Sequence, residues 1–573
     1  MDREKTHPLQ LLEILQEISF YFNKEVLVNC IQVSKLWHQA FLPRIWESVS
    51  LDSVDSASKE ATAETLSHIK RNAGRIHSLS LFNLKTECTN ELLKLDYPKL
   101  TALSLKFVNG QDILPAIKDM IIRHGPRLVW LNLRYSVVDP SVFQVFDLLE
   151  GCKDHGQLRS LFLGLVIVDI SAMDLRSRQL LWSLDELEMD EVEVVRRNRA
   201  YWDQLEALGS STTPAIKLAA DSHPSALAPV QEGKDAESVP SKVRDLTVVS
   251  SQSGMQADYS HFLACQELRS MTWVDRRFPS RESLPLADDL LKGHWPFLNA
   301  LCLGMKRLSD RDLADIILAL GDRPMVLLEL NNTSFGPLAA SAWVYGKIIE
   351  GGDTSKPMPA EIPRPSLKEL YVRNTKCGGV WMHRFLCLYP NLRRFAGTFI
   401  TDRDVTEDPR PWTCLHLIHL NLDLRREVYD GLEPELLDED EDETLFVHPP
   451  SFFFDRIATL TRLEELLLSQ KRFQNDDFHT LELQLTDPAV DALQSLTRLM
   501  QVYWRDVEYE DAQYIEEMWP CLDTVITRNI SDEADDYLCE HGINTEKPDR
   551  EELLDPHDAM SSIFDAILGV HNF

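Results

Sequence analysis

Leu100-Thr101-Ala102-Leu103-Ser104-Leu105 is echoed by Leu128-Val129-Trp130-Leu131-Asn132-Leu133, and their shared spacing, L-x-x-L-x-L, recurs down most of the chain. Copies stand at Ile76-Leu79-Leu81, Leu158-Leu161-Leu163 and Leu184-Leu187-Met189, then at Val243-Leu246-Val248, Leu268-Met271-Trp273, Leu298-Leu301-Leu303 and Met325-Leu328-Leu330. Further copies begin at Leu367, Leu392, Leu417, Leu463, Leu499 and Leu522, the last two weaker in pattern. Apolar residues at alternate positions specify a short strand with one buried face. The intervening stretches carry helix signals: Asp139-Pro140 opens a helix that Gly151 closes, Ile113 to His124 ends at Gly125, and Asp310 to Leu320 ends at Gly321. Each repeat reads as one strand and one helix.

Length alone, at 573 residues, suggests about four domains, but internal repeats take precedence over that division. Phrase starts at 76, 100, 128, 158 and 184 lie 24, 28, 30 and 26 residues apart. The array resembles the leucine-rich repeats, whose period is roughly 20–29 residues. The fold class implied is α/β: a leucine-rich-repeat solenoid, irregular, of strand-plus-helix repeats. A layered αβ domain with fifteen such strands would need an implausibly wide sheet. Three residues after the last Leu, where the family usually has Asn or Cys, stand Leu84, Val108, Ser136 and Val166. Without that polar ladder, uneven curvature and variable loops are expected.

Ahead of the repeats, Leu11, Ile14, Leu15, Ile18 and Phe22 fall on one helical stripe. Two more short helices follow, one through Val26, Leu27, Cys30, Ile31 and Val33, the other through Leu36, Trp37, Phe41, Ile45 and Trp46, with breaks expected near Asn23 and Pro43. By periodicity alone this segment equally suits a cap on the solenoid. Its residues Leu11, Glu13, Ile14, Leu15, Ile18, Val33, Ser34, Trp37 and Trp46 resemble the F-box motif position by position, although the family usually has Pro before that Glu and Leu12 stands here. The resemblance covers less than a tenth of the chain. It implies a small N-terminal three-helix F-box that binds the adaptor of an SCF-type ubiquitin ligase through Leu11, Ile14, Leu15, Ile18, Val33 and Trp37.

The organisation expected is an F-box-like helical segment over 1–50, a connecting helix or linker over 51–75, the irregular solenoid over 76–543 and a tail over 544–573. Flexible insertions are expected at about 209–241, 351–365 and 433–450. The acidic run Asp438–Glu443 lacks the Gly and spacing of a calcium loop and reads as solvated. In the tail, Met560, Ile563, Phe564, Ile567 and Leu568 form an apolar stripe after Asp555-Pro556, suited either to sealing the array or to a partner helix.

A net charge of −32 and a pI near 4.9 argue against nucleic acid and anionic membranes as partners. With a charged start, Met1-Asp2-Arg3-Glu4-Lys5, and no apolar run of membrane length, an intracellular chain is expected, cytoplasmic or nuclear. Ten scattered cysteines offer no C-x-x-C pair and read as reduced core residues. Phosphate loops, nucleophile elbows and H-E-x-x-H are lacking, and a strand His such as His419 reads as a satisfied surface group. No cofactor, metal site or catalytic residue is expected. Activators of Ran-type GTPases also use leucine-rich repeats, but those resemble a regular, Asn-laddered array.

The F-box and leucine-rich-repeat family supplies substrate receptors of SCF-type ligases, so the resemblance implies a non-catalytic receptor subunit. The competing class is a repeat scaffold without ligase function. Target contact is expected on the concave strand face, where phrase residues between the apolar positions point outward. Trp130, Arg134, Tyr371, Arg373, Arg394, Tyr503, Arg505 and Arg528 are the candidates, with Arg373 beside Arg394 and Arg505 beside Arg528. Paired guanidinium groups with aromatic neighbours suit an acidic or phosphorylated peptide. Glu369, Asp423 and Glu465 on the same face would balance them.

Overall fold

A computed structural model describes residues 12–52, 59–82, 86–106, 113–133, 152, 157–164, 167–168, 179–181, 183–190, 193–194, 241–250, 262–263, 265–275, 286–305, 308–349, 359–427, 451–468, 478–480, 490–504, 506–527 and 529–546. The chain divides into two compact units at Arg269/Ser270. The helix expected over 139–151, the acidic run and the C-terminal stripe lie outside the described residues, as do most of the expected insertions.

The first unit opens with α1 (Leu12–Ile18), α2 (Lys24–Cys30) and α3 (Lys35–Ile45). Asn23 starts α2 by accepting from the Val26 N–H at 2.9 Å, and Ser34 starts α3 by accepting from Trp37 at 3.2 Å. Pro43 does not break α3 as expected; it lies in the last turn, and the helix runs through it to Ile45. Strand β1 (Ser48–Asp52) follows and pairs in parallel with β2 (Ser78–Phe82). The repeats therefore begin at Ser48 rather than at 76, and α4 (Lys59–Asn72) occupies the expected linker. Pairing continues in parallel through β3 (Ala102–Lys106), β4 (Trp130–Leu133), β5 (Ser160–Gly164), β6 (Glu186–Asp190) and β7 (Asp245–Ser250). The register places Leu79, Leu103, Leu131, Leu161, Leu187 and Leu246 in one row, each at most 1% exposed.

The second unit repeats the scheme. Its strands are β8 (Ser270–Asp275), β9 (Ala300–Met305), β10 (Leu327–Glu329), β11 (Glu369–Tyr371), β12 (Arg394–Thr401), β13 (His419–Glu427), β14 (Glu465–Leu467), β15 (Phe478–Thr480), β16 (Gln501–Tyr503), β17 (Thr524–Ile526) and β18 (Asn544–Glu546). All run parallel except β15, which pairs antiparallel with the far half of β13. Strand β18 draws the start of the expected tail into the sheet. Leu301, Leu328, Leu370, Phe395, Leu420, Leu466, Val502 and Val525 form the buried row, which includes both of the weak phrases. Each unit is thus an irregular leucine-rich-repeat solenoid of α/β type.

Main chain links successive repeats at the strand entries. The carbonyl just before a strand accepts two N–H groups from the next repeat: Glu47 O from His77 and Ser78, both at 2.9 Å, and His77 O from Thr101 at 2.8 Å and Ala102 at 3.0 Å. Lys368 O does the same for Arg393 and Arg394 at 2.7 and 3.0 Å. Three residues beyond the phrase, Thr333 and Thr375 donate to Leu330 O and Val372 O of their own repeats at 2.7 and 2.9 Å, while between repeats Asn331 Oδ1 accepts from the Arg373 N–H at 2.7 Å. Beside them, Asn332 and Asn374 adopt left-handed backbone at φ 57° and 53°, and their side chains bond each other at 3.0 Å.

Helices are also coupled between repeats. Helix α5 (Asp310–Leu320) has the capping box Ser309/Asp312 and ends at Gly321, as its sequence predicts. Asp310 turns away from its own helix and accepts from Gly336, Leu338 and Ala339 N–H at 2.8, 2.9 and 3.0 Å. It caps α6 (Pro337–Tyr345), whose own N-cap, Gly336, has no side chain to offer. Arg364, within an expected insertion, lies 3.8 Å over the Trp343 ring and donates to Trp343 O and Gly321 O, so this end of the loop is anchored.

Asp310→Ala is expected to cost about 1–2 kcal/mol, since it strips the acceptor from three helix N–H groups. Urea unfolding would read this as a lower midpoint with Asp310→Asn intermediate; an unchanged midpoint contradicts the cross-repeat cap.

Candidate functional site

Two surfaces can be built from these elements. In the three-helix segment, Leu15, Leu27, Ala40 and Phe41 form the core, with Leu12, Phe22, Cys30, Ile31, Leu36, Trp37 and Ile45 packed around it. Trp37 sets its ring edge-on to Phe41 at 5.3 Å. Lys24 ties the segment to β1 through Ser48 O at 3.1 Å, and burial lowers its pKa.

Of the expected adaptor-facing residues, Leu11 lies outside the described residues. Leu15 is fully buried and holds the bundle together, so it is a core residue and cannot present its side chain to a partner. Ile18 and Trp37 are partly buried. Ile14 and Val33 are exposed, at 36% and 63%. The sequence reading missed the rest of this apolar surface: Phe20 at 59%, Tyr21 at 81%, and Val26 and Val28. Phe20 and Tyr21 sit in the turn between α1 and α2. Their signal was a Phe-Tyr pair off the helical stripe.

The second surface is the open face of the sheet, opposite the Leu rows. In the first unit Trp130 lies there, its ring 5.3 Å from that of Phe162; Arg134 lies outside the described residues. In the second unit the register runs Glu369, Arg394, His419, Glu465 and Gln501 across successive strands. Arg394 therefore faces Glu369 and His419, not Arg373 as expected, because β11 and β12 pair four residues before Arg373. His419 meets Glu465 at 2.6 Å, and this bond holds the Glu465 carboxyl below its usual range. Tyr371 is buried rather than free to stack on a ligand, and its hydroxyl donates to Glu369 at 3.0 Å. Tyr503 is partly buried on β16; Arg505 and Arg528 lie outside the described residues.

The register therefore sets Arg394 beside Glu369 and His419 with Glu465 one strand further on, the arrangement in which Glu369 and Glu465 offset its charge. One carboxyl departs from this pattern. Glu329 is 5% exposed on the open face, accepts from Asn331 at 2.9 Å and stands opposite Cys302 in the register. Burial raises its pKa, with Glu369 adding like-charge repulsion. All ten cysteines are unpaired; Cys152, Cys265, Cys302, Cys377, Cys387 and Cys414 are buried as expected of core residues, whereas Cys30 and Cys88 are half-buried and Cys521 and Cys539 are exposed. Among the described residues no group of His, Cys, Asp and Glu has the arrangement to hold a metal, and no helix is long and apolar enough to cross a membrane.

Because the folded-state pKa of Glu329 is raised, the folded protein binds the proton more tightly than the unfolded chain does. Its ionisation then lowers stability as pH rises above the ordinary glutamate range near 4.5. Glu329→Gln should raise the melting temperature at pH 7, with the gain vanishing below about pH 4. A destabilised, pH-independent variant would mean that the carboxylate itself is needed.

No protein-family model matches the sequence, and comparison with curated proteins gives no match. Among solved structures, a leucine-rich-repeat protein of Leptospira interrogans is 13% identical, with 87% of this chain and 97% of that one covered at a TM-score of 0.37. A chain of the TLR13–ssRNA13 complex is 12% identical over 83% of this chain and 56% of its own, also at 0.37. A chain of the yeast Rad7–Elc1 complex is 12% identical over 93% and 96%, at 0.34. Likeness at this level carries no argument about partners or activity. The leucine-rich-repeat architecture rests instead on the parallel register and the buried leucine rows of the two units.

Proposed function

We propose that the chain is the substrate-recognition subunit of an SCF-type ubiquitin ligase, with the three-helix segment docking the ligase adaptor and the open face of the repeats holding a target protein. The observation that carries this reading is the apolar surface of the first segment. Six of the thirteen exposed large apolar side chains among the described residues fall between Ile14 and Val33. Single exposed apolar residues are ordinary, whereas such a concentration beside a small complete core marks a docking surface. The F-box resemblance names the partner that would cover it. A segment acting only as a lid on the array would turn its apolar residues inward.

The chain contributes proximity rather than chemistry. Holding a target near a charged ubiquitin-conjugating enzyme makes the transfer effectively intramolecular, raising its rate without a catalytic group on this subunit.

The test separates surface from core. Phe20→Ser combined with Val33→Asp should weaken adaptor capture by at least ~100-fold, since a carboxylate buried in an apolar interface costs several kcal/mol, while the melting curve stays as in the parent. Leu15→Asp should instead unfold the three-helix segment. If the parent chain itself fails to co-purify with the adaptor, the chain is a repeat scaffold and the ligase reading falls.

A further inference from the structure

The last two helices among the described residues, α7 (Tyr509–Met518) and α8 (Asp532–Glu540), pack against each other in the helix layer of the second unit. Three rings join them at the surface. Tyr509 meets Tyr537 edge-on at 5.4 Å, and Tyr537 stacks on His541 at 4.2 Å. Tyr509 is 38% exposed and His541 is exposed, with Tyr537 half-buried where the two contacts meet. The rings are held in place: Gln513 Nε2 donates to the Tyr509 hydroxyl at 3.2 Å, and His541 Nδ1 donates to Tyr537 O at 2.8 Å. Large rings in these repeats otherwise serve the core, as the neighbouring Trp504 and Trp519 do at 1% exposed.

The surroundings of these rings are negative. Residues 506–527 and 529–546 hold thirteen Asp and Glu and no Lys or Arg. By helical spacing Glu516 and Glu517 continue the stripe of Tyr509 and Gln513, while Glu533 and Glu540 flank Tyr537. None of these four carboxylates has an ion pair among the described residues. Desolvation, then Glu516, Tyr509 and Glu517, raise the Tyr537 hydroxyl above its ordinary range, so the carboxylates of α7 act on the ring that α8 carries. The face of a ring and an unpaired carboxylate both favour a cation, whereas an apolar or anionic partner would bury the carboxylates uncompensated. From Tyr509 to Glu517 the stripe runs about 12 Å. It has room for more than one cationic side chain.

We propose that Tyr509, Tyr537 and His541, with the four carboxylates around them, form a docking surface for a basic peptide segment of a partner protein. One Lys or Arg lies against the rings, and further cations of the same segment meet the flanking carboxylates. The surface belongs to the helix layer, apart from the open strand face, so it stands whether or not the chain is a ligase receptor.

The full chain is titrated with three fluorescent nonapeptide pools that share degenerate uncharged flanks and carry paired Lys, paired Arg or paired Gln at the centre. A cationic pool should bind at least ~10-fold tighter than the Gln pool, with the preference falling as salt is raised. The rings separate this surface from the general acidity of the chain. Tyr509→Ala, which leaves every charge in place, should weaken the cationic pool by about fivefold, and Tyr509→Phe, which keeps the ring, should not. Glu516→Gln with Glu533→Gln should weaken it too, whereas Glu87→Gln with Asp119→Asn, the same charge removed from exposed positions of the first unit, should leave it unchanged. If Tyr509→Ala melts early, the Glu516 and Glu533 pair gives the reading in its place. Equal binding of the three pools, no binding of any pool, or a cationic preference that survives Tyr509→Ala in a folded chain overturns the proposal. So does a dimer that sedimentation shows to dissociate on Tyr509→Ala, since a second copy would then be the occupant.

Discussion

The interaction on which the array depends is a shared carbonyl. In each repeat the residue just before the strand turns its C=O toward the next repeat and accepts two consecutive N–H groups, as Glu47, His77 and Thr101 do in turn and Val326, Lys368 and Arg393 do again in the second unit. A buried backbone group without a partner costs about as much as a lost hydrogen bond. This bifurcated contact satisfies the strand entry without asking anything of the side chain. Because these are main-chain bonds, irregular spacing between repeats does not break the stack.

The helical side is coupled by charge rather than by main chain. Helix termini leave unpaired N–H and C=O groups, and neighbouring repeats supply the missing partners. Asp310 caps the following helix. Arg123 reaches back to Leu93, Lys94 and Leu95 carbonyls, and Arg323 reaches Leu290 and His294. Cations at helix C-termini and an anion at an N-terminus also complement the helix dipoles. Each repeat thus depends on its neighbour at both layers, which is what nearest-neighbour stability in a solenoid requires.

On the open face the same economy leaves a few groups over. Cross-strand pairing ties Arg394, His419 and Glu465 into an alternating row, and Tyr371 spends its hydroxyl on Glu369. Glu329 is buried at an electrostatic cost. Such residual imbalances on an otherwise neutralised face are where a bound partner gains most from a complementary charge.

The strand-plus-helix repeat, the buried Leu rows and the helix ends at Gly125 and Gly321 were legible in the sequence, because they follow from local periodicity and capping chemistry that need no knowledge of neighbours. So was a three-helix segment at the start, from its apolar stripes and the break at Asn23. Other features were not legible. The first strand at Ser48 has only Val49 and Leu51 as alternating apolar residues and lacks the Leu that opens a phrase. Leu15 shares its stripe with Ile14, and only the packing of α1 against α3 decided which of the two is core. Arg373 and Arg394 are separated by register, and Phe399 meets Asp423 only because a one-residue bulge shifts the pairing of β12 with β13. Periodicity fixes what a residue does within its own element, whereas which residues meet across elements depends on register and burial, which only the tertiary structure determines.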